Sequence, residues 1–328
     1  MGRARGARAS RGARARPHER ALSIMKVFIL GAGKVGRALA RALRKKGYAV
    51  TLRPARKGVP TTPIDARVII LAVRDRQLGP VAADLAASGV VRRNAVVVHN
   101  AGSLPADAIA ALRGSCAGIA QMHPMISFAS KTFFPELTRG HCHVKGDPEA
   151  EKRARALAKR LGMTPRTFAR LDTVGYHAAA GLVANGAAAL AAMGEELLVV
   201  SGVPRKDAPK MLGPLLRSVA DNVEALGFPE ALTGPVRRGD AGAIERQIAL
   251  LRERLAPALP LFVASAAAQL PLARAIGDAP AASFDAVREV LANAARAKGA
   301  KPAKNKNAKR RPSARPRANG PRKKRQRR

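Results

Sequence analysis

The 328-residue sequence predicts an α/β protein, a doubly wound parallel sheet over residues 25–170 followed by an all-α domain over residues 171–297. Three observations predict it. Short apolar runs alternate with amphipathic helical segments as far as residue 170, and that alternation is the signature of parallel strands joined by crossover helices. After Leu171 the β pattern stops and only helical periodicity remains. The length exceeds what one core usually holds, while 47% hydrophobic content is enough to pack two.

The elements follow in order. Residues 26–30 are a short β-rich run, and a helix over 35–46 buries Val35, Leu39 and Leu43 at four-residue steps before ending at Gly47. A second strand over 48–53 precedes the near-continuous apolar run 67–73, which reads as a strand buried on both faces. After a polar turn at 74–76 come a helix over 80–87, a strand over 95–99, a helix over 105–113 and a strand over 118–122. A strand over 141–145, a helix over 148–161 and a strand over 165–168 complete the sheet domain. The expected helices of the second domain are 173–201, 206–226, 242–255, 257–269 and 283–297. Residues 178–194 approach the length of a membrane span, but they are mostly Ala and Gly and run straight into Glu195 and Glu196, so a span is not expected.

The net charge of +38 is distributed unevenly. Residues 1–24 hold seven Arg and one Glu, and residues 296–328 hold sixteen Lys and Arg and no acid, so more than half of the excess lies in the two ends. Residues 1–24 read as a disordered basic extension or a misassigned start ahead of Met25, and 298–328 as a disordered basic tail, because like charges without apolar periodicity cannot offset the entropy of ordering. The tail is either incidental or a sequence-blind nucleic-acid contact. Two cysteines, Cys116 and Cys142, make neither a disulfide scaffold nor a metal site, and place the chain in a reducing compartment, the cytoplasm.

Chemistry enters with Gly31-Ala32-Gly33-Lys34-Val35-Gly36, a G-x-G-x-x-G loop set between a strand and a helix. Gly31 suits the tight turn, Gly33 the approach of a pyrophosphate to backbone amides at the positive helix end, and Gly36 close packing of helix on strand. An NAD site places an acid near the end of the second strand for the ribose 2′-hydroxyl. Here Arg53, Arg56 and Lys57 stand there and no acid occurs from residue 31 to 64, so the cofactor expected is NADP(H). Ligands of such sheets lie beyond the carboxyl ends of the strands, where Ala72, Val73, His99, Asn100 and His123 fall, with His99 and Asn100 placed for the nicotinamide ribose.

The chain resembles the Rossmann-like family whose C-terminal half is a domain of unknown function, number 2520, related to pyrroline-5-carboxylate reductase, ketopantoate reductase and the 6-phosphogluconate dehydrogenase superfamily. The segments that carry the resemblance are FILGAGKVGRALA (28–40), VIILAVRD (68–75), VVVHNAGSLPADAIAAL (96–112), IAQMHPMISFA (119–129), GYHAAAGLVANGAAAL (175–190) and ALTGPVRRGD (231–240), together spanning the body of the chain. It departs from the family at HNAG, where a Thr-Ser pair more often precedes the glycine. The resemblance implies a cofactor-binding domain, a helical domain and a homodimer.

The candidate chemistry is an NADP(H)-dependent oxidoreductase that moves hydride to or from a C=O or C=N bond of a small, anionic metabolite. Such a reaction needs a proton or hydrogen-bond donor at the heteroatom, and histidine serves most easily near neutrality. His177 and Asn185 are eight residues apart on one helix, about 12 Å along the axis and about 80° around it, so both can line one groove. His123, before Pro124, is either structural or substrate-facing, and His177 is either the donor or a packing residue. Asn185, set among alanines, bonds either substrate or a neighbouring helix. Tyr176 points away from Asn185 and reads as core. In the turn Thr233–Asp240, Asp240 caps the next helix while Arg237 or Arg238 either clamps an anionic group or stays solvated. No metal is expected. The alternatives are a non-catalytic nucleotide-binding sensor or scaffold, and a nucleic-acid-associated protein acting through residues 298–328.

Overall fold

A computed structural model of the chain describes residues 25–296. The two basic ends, and the disorder expected of them, lie outside the described residues. The chain divides into two compact units at Gly186 and Ala187, inside one long helix and later than the change of sequence pattern at residue 171.

The first unit is built on seven strands, β1 (Lys26–Leu30), β2 (Ala49–Arg53), β3 (Val68–Leu71), β4 (Val96–His99), β5 (Ile119–Pro124), β6 (His141–Gly146) and β7 (Thr164–Arg166), in the order β2-β1-β3-β4-β5-β6-β7. Helices α1 (Lys34–Lys45), α2 (Asp75–Ser88) and α3 (Pro148–Arg160) and a 3₁₀ turn (Ala106–Leu112) join them. Alternation along each strand makes two cores. Val27, Ile29, Val68, Ile70, Val96 and Val98 face α1 and α3, whose Leu39, Leu43 and Leu157 cover them. Phe28, Leu30, Ile69, Leu71 and Val97 face α2 and the 3₁₀ turn, meeting Leu78, Leu85 and Ile109.

Two features differ from the expected pattern. The sheet is mostly but not wholly parallel, since β5 and β6 pair antiparallel, His123 opposite His143 and Pro124 opposite Cys142. No helix lies between them, and without a crossover the chain can only return antiparallel. Second, α2 begins at Asp75, five residues before Pro80, because the Gln77 side chain accepts a hydrogen bond from the Arg74 amide at 3.4 Å and starts the helix there.

The long helix α4 (Thr173–Val200) leaves the sheet unit, and α5 (Ala208–Leu226), α6 (Ala241–Arg254), α7 (Leu259–Ile276) and α8 (Ala281–Arg296) follow. In the second unit α6, α7 and α8 share a core of Ile244, Ile248, Leu270, Phe284, Val287 and Leu291. Asp240 caps α6, its carboxylate accepting from the Ala243 amide at 2.9 Å, as the turn sequence predicts. In contrast, α4 buries no residue and α5 only Ala208. Leu182, Val183, Met211, Leu215 and Val219 all face solvent. Two helical stretches, Thr173–Val200 and Ala256–Ile276, are long and apolar enough to cross a membrane by length and composition.

Candidate functional site

The glycine loop fits the assigned roles atom by atom. Gly31 has a φ of +120°, and a β-carbon there would lie 2.2 Å from the Ala72 carbonyl oxygen. A β-carbon on Gly36 would lie 1.9 Å from the Gly31 oxygen, whereas one on Gly33 would meet nothing within 4 Å. Gly31 and Gly36 are therefore demanded by packing, and Gly33, the residue before α1, opens onto free space. Lys34 is exposed at the helix start and Val35 packs on the core beneath.

That space is a cavity of about 240 Å³ bounded by Gly31, Ala32 and Gly33, by Ala72 and Val73 at the tip of β3, and by Arg56 after β2. Arg74, Gln77 and Lys131 complete it, three residues that sequence reasoning missed. Arg74 and Gln77 are legible only once α2 is known to start at Asp75, and Lys131 arrives from the long β5–β6 connection. Among the described residues no acid lines the cavity and three cations do, and backbone amides at a helix start add positive potential. Glycine cradle and cation set fit a dinucleotide phosphate.

Arg53 has a different place. Its Nε donates to the Gly58 carbonyl at 2.8 Å and its Nη2 to the Lys57 carbonyl at 2.7 Å, so it ties the turn after β2 instead of lining the cavity. Lys57 is exposed beside it. Of the three cations expected to read a 2′-phosphate, Arg56 lines the cavity, while Arg53 Nε and Nη2 are engaged with carbonyls outside it.

A second cavity, about 570 Å³, brings His123, His177 and Asn185 together with Ser127, Phe128 and the alanine-rich face of α4. The loop behind it is rigidly held. Gln121, 1% exposed, donates to the Ala101 carbonyl at 2.8 Å, Asn100 Nδ2 donates to the Met122 carbonyl at 2.6 Å, and the Ser103 hydroxyl bonds Asp75 at 2.8 Å. The first turn of α4 is tied to the same loop by the Thr173 hydroxyl, which donates to the Ser103 carbonyl at 3.0 Å. These bonds hold Gly102 against both histidines. A β-carbon on Gly102 would lie 2.4 Å from His177 Nδ1 and 2.7 Å from His123 Nε2. Two ring nitrogens thus converge on one glycine, with the rings edge to face and their centres 5.7 Å apart.

Burial, reinforced by the neighbouring His177 and His143, pushes the His123 pKa down to about 4, so its imidazole is neutral near pH 7. Tyr176 Oη stands 3.5 Å from His123 Nδ1, and burial raises that phenol to about 12. The phenol therefore keeps its proton and can direct it at Nδ1, leaving the His123 N–H on Nε2, toward Gly102. Tyr176 is half-buried and packs against His143, 5.7 Å between ring centres, where sequence reasoning made it plain core. Helix arithmetic relates residues of one helix only and has no access to β5 and β6.

Three further expectations change. His99 is fully buried, its Nε2 donating to the Pro105 carbonyl at 3.0 Å and its Nδ1 accepting from the Ala101 amide at 3.3 Å. Burial lowers its pKa to about 4, and with both nitrogens engaged it organises the loop and cannot meet a ribose. Asn100 turns its amide to the Met122 carbonyl of β5, its Oδ1 buried without a partner among the described residues. Asn185 is exposed, not buried among alanines. In the second unit Arg237 donates to Asp278 at 2.5 Å and to the Leu232 carbonyl at 2.8 Å. That commitment removes it as an anion clamp, while Arg238 is exposed in the same turn. Among the described residues no group of His, Cys, Asp and Glu could hold a metal.

Comparison with known proteins agrees with this architecture. Residues 141–267 match the family described as a domain of unknown function (DUF2520). The chain is similar in fold to a protein assigned as an NADP oxidoreductase from Bacteroides fragilis, with 22% identity, a TM-score of 0.59, and 75% of this chain and 97% of that one covered. It is similar also to a protein from Thermotoga maritima, with 20% identity and a TM-score of 0.51 over 82% of this chain and 100% of that one. A 1-pyrroline-5-carboxylate reductase from Streptococcus pyogenes shares 15% identity at a TM-score of 0.50, over 82% and 98% of the two chains. At these identities the likeness establishes the fold. No curated protein matches the chain in sequence. The family match is confined to residues 141–267, and beyond it the comparisons show a shared fold.

Proposed function

We propose that the chain is an NADP(H)-dependent oxidoreductase that transfers hydride between the nicotinamide and a C=O or C=N bond of a small metabolite, with His123 and His177 at the reacting heteroatom. The observation that carries this reading is that His123 and His177, each with a ring nitrogen close to Gly102, line one cavity together with Asn185. The size of that cavity suits a small ligand. In bound form the cofactor supplies or accepts the hydride.

The chain's own residues do the rest. Arg56, Arg74 and Lys131 hold phosphate at the glycine loop, and Gly33 leaves the backbone amides open to it. His123, held neutral and oriented through Tyr176, offers a hydrogen bond from Nε2 that polarises the substrate heteroatom. His177 is exposed, so it exchanges protons with solvent and delivers one to the heteroatom as hydride arrives. Asn185 contributes an amide on the same side of α4. Among the described residues no lysine or arginine lines this cavity, and neutral donors such as Ser127 and Asn185 meet the anionic group expected of the substrate.

We further propose that a second copy of this chain covers α4 and α5. Their apolar side chains are exposed along both helices, and tying the first turn of α4 to Ser103 and His123 of the sheet unit opposes a transmembrane placement. Both cysteines are free thiols, which supports a reducing, cytoplasmic setting. The test is oxidation of NADPH with a panel of keto acids, aldehydes and cyclic imines, alongside sedimentation of the parent and of Leu215→Glu. Turnover and a dimer that Leu215→Glu dissociates are expected. Cofactor binding without turnover would make the chain a nucleotide sensor, and a monomeric parent would remove the second copy.

A further inference from the structure

The outer face of α1 carries a basic stripe that the proposed reaction does not use. Arg37, Arg41, Arg44 and Lys45 recur at helical spacing over about 12 Å of axis. Arg41, Lys45 and Lys46 line a cavity of about 470 Å³ whose far wall is residues 132–137 of the β5–β6 connection. An adjoining hollow of about 370 Å³ adds Arg37 and Arg44 and shares Arg41, Lys45 and Phe134 with the first, so the two form one groove. The Arg41 guanidinium sits 5.1 Å above the centre of the Phe134 ring, and the neighbouring Phe133 ring is 76% exposed.

The groove is not charge-balanced. Among the described residues its single lining carboxylate, Glu136, accepts a hydrogen bond from the Thr138 hydroxyl at 2.6 Å, and Arg41, Lys45 and Lys46 make no ion pair. Like charges one helical turn apart repel, so a stripe kept without counter-charges is stabilised by an anion laid along it. The stripe is longer than one phosphate group, which favours a chain of phosphates over a single one. Beside it stands an exposed phenyl ring, and a cationic track flanked by an aromatic platform is the arrangement that holds unpaired bases together with their backbone.

We propose that this groove binds single-stranded nucleic acid, with backbone phosphates on Arg37, Arg41 and Lys45 and a base stacked on Phe133. None of the residues of this site belongs to the basic ends of the sequence, whose charge would add sequence-blind attraction. The experiment is fluorescence anisotropy of labelled oligo(dT) and oligo(U) with the full chain across a salt series. Arg41→Glu/Lys45→Glu weakens binding at least tenfold and lowers the slope of log K against log salt by about 1.4, two phosphates at about 0.7 each on a single strand. Arg41→Gln/Lys45→Gln moves both quantities in the same direction should the charge reversal fail to fold. Phe133→Ala weakens binding about tenfold with the slope unchanged. Three results would overturn the proposal: no binding by the parent, equal binding by parent and groove variants, or displacement of the oligonucleotide by AMP or by duplex DNA at equal nucleotide concentration.

Discussion

Replacing Gly102 by alanine isolates the geometry on which the reaction depends. Gly102 is not among the glycines with positive φ, so alanine meets no backbone strain there. The new β-carbon would stand 2.4 Å from His177 Nδ1 and 2.7 Å from His123 Nε2, where ordinary contact begins near 3.4 Å. His177 must therefore withdraw by about 1 Å and His123 by about 0.7 Å, and both are side-chain ends that can rotate without moving the sheet. A misplacement near 1 Å at a reacting centre costs about 100-fold in rate, or about 2.7 kcal/mol at 1.36 kcal/mol per decade. Gly102 does not line the glycine-loop cavity, so NADPH affinity should stay as in the parent. Steady-state kinetics, NADPH titration by fluorescence and a thermal melt separate the three quantities. Unchanged kcat/KM in a folded Gly102→Ala protein would refute the placement of both histidines.

Other outcomes follow from the same coordinates. Arg56→Glu should weaken NADPH about tenfold or more and NADH little, because Arg56 lines the cofactor cavity, while Arg53→Asp should chiefly lower the melting temperature by freeing the Lys57 and Gly58 carbonyls. Gly33→Ala should leave the melting temperature unchanged and abolish tight cofactor binding, whereas Gly36→Ala, which drives a β-carbon to 1.9 Å from the Gly31 oxygen, should destabilise the fold by several kcal/mol (~2–4, as for overpacking and backbone displacement). The pH dependence of stability has a definite sign. His99 has a folded pKa of about 4, below its unfolded value of 6.5, so the unfolded chain binds more protons in between; stability is full above pH 6.5 and falls as pH drops toward 4. The loss from His99 is on the order of 3 kcal/mol. Urea midpoints should therefore decline over that interval, and His99→Asn should reduce the decline to the part that His123, also lowered to about 4, still carries; a midpoint independent of pH there would contradict the buried, neutral state.

The sheet was legible because its strands declare themselves. Val68–Leu71 and Val96–His99 are apolar on both faces, which only the interior of a covered parallel sheet requires. The absence of a helical stretch between His123 and His141 also carried the antiparallel return of β6, a signal available in the sequence. The glycine loop was legible for a related reason, since two of its glycines are forced by contacts within ten residues or with the next strand. Side-chain commitments were not. Arg53 and Arg237 look like phosphate and carboxylate ligands in a sequence, but each found backbone carbonyls whose direction no residue pattern encodes. Likewise the company of His123, namely Gly102, Tyr176 and His177, comes from two other elements, a loop and α4, that only the register of β5 and the docking of the first turn of α4 bring together.

The most direct measurement is NADPH consumption by the parent and by His177→Ala, each saturated with cofactor, over the carbonyl and imine panel. The parent should turn over at least one class of substrate, and His177→Ala should be at least 100-fold slower at unchanged NADPH affinity. A parent that binds NADPH and reduces nothing, or equal rates in the two proteins, would contradict the assignment of these histidines to a reductase site.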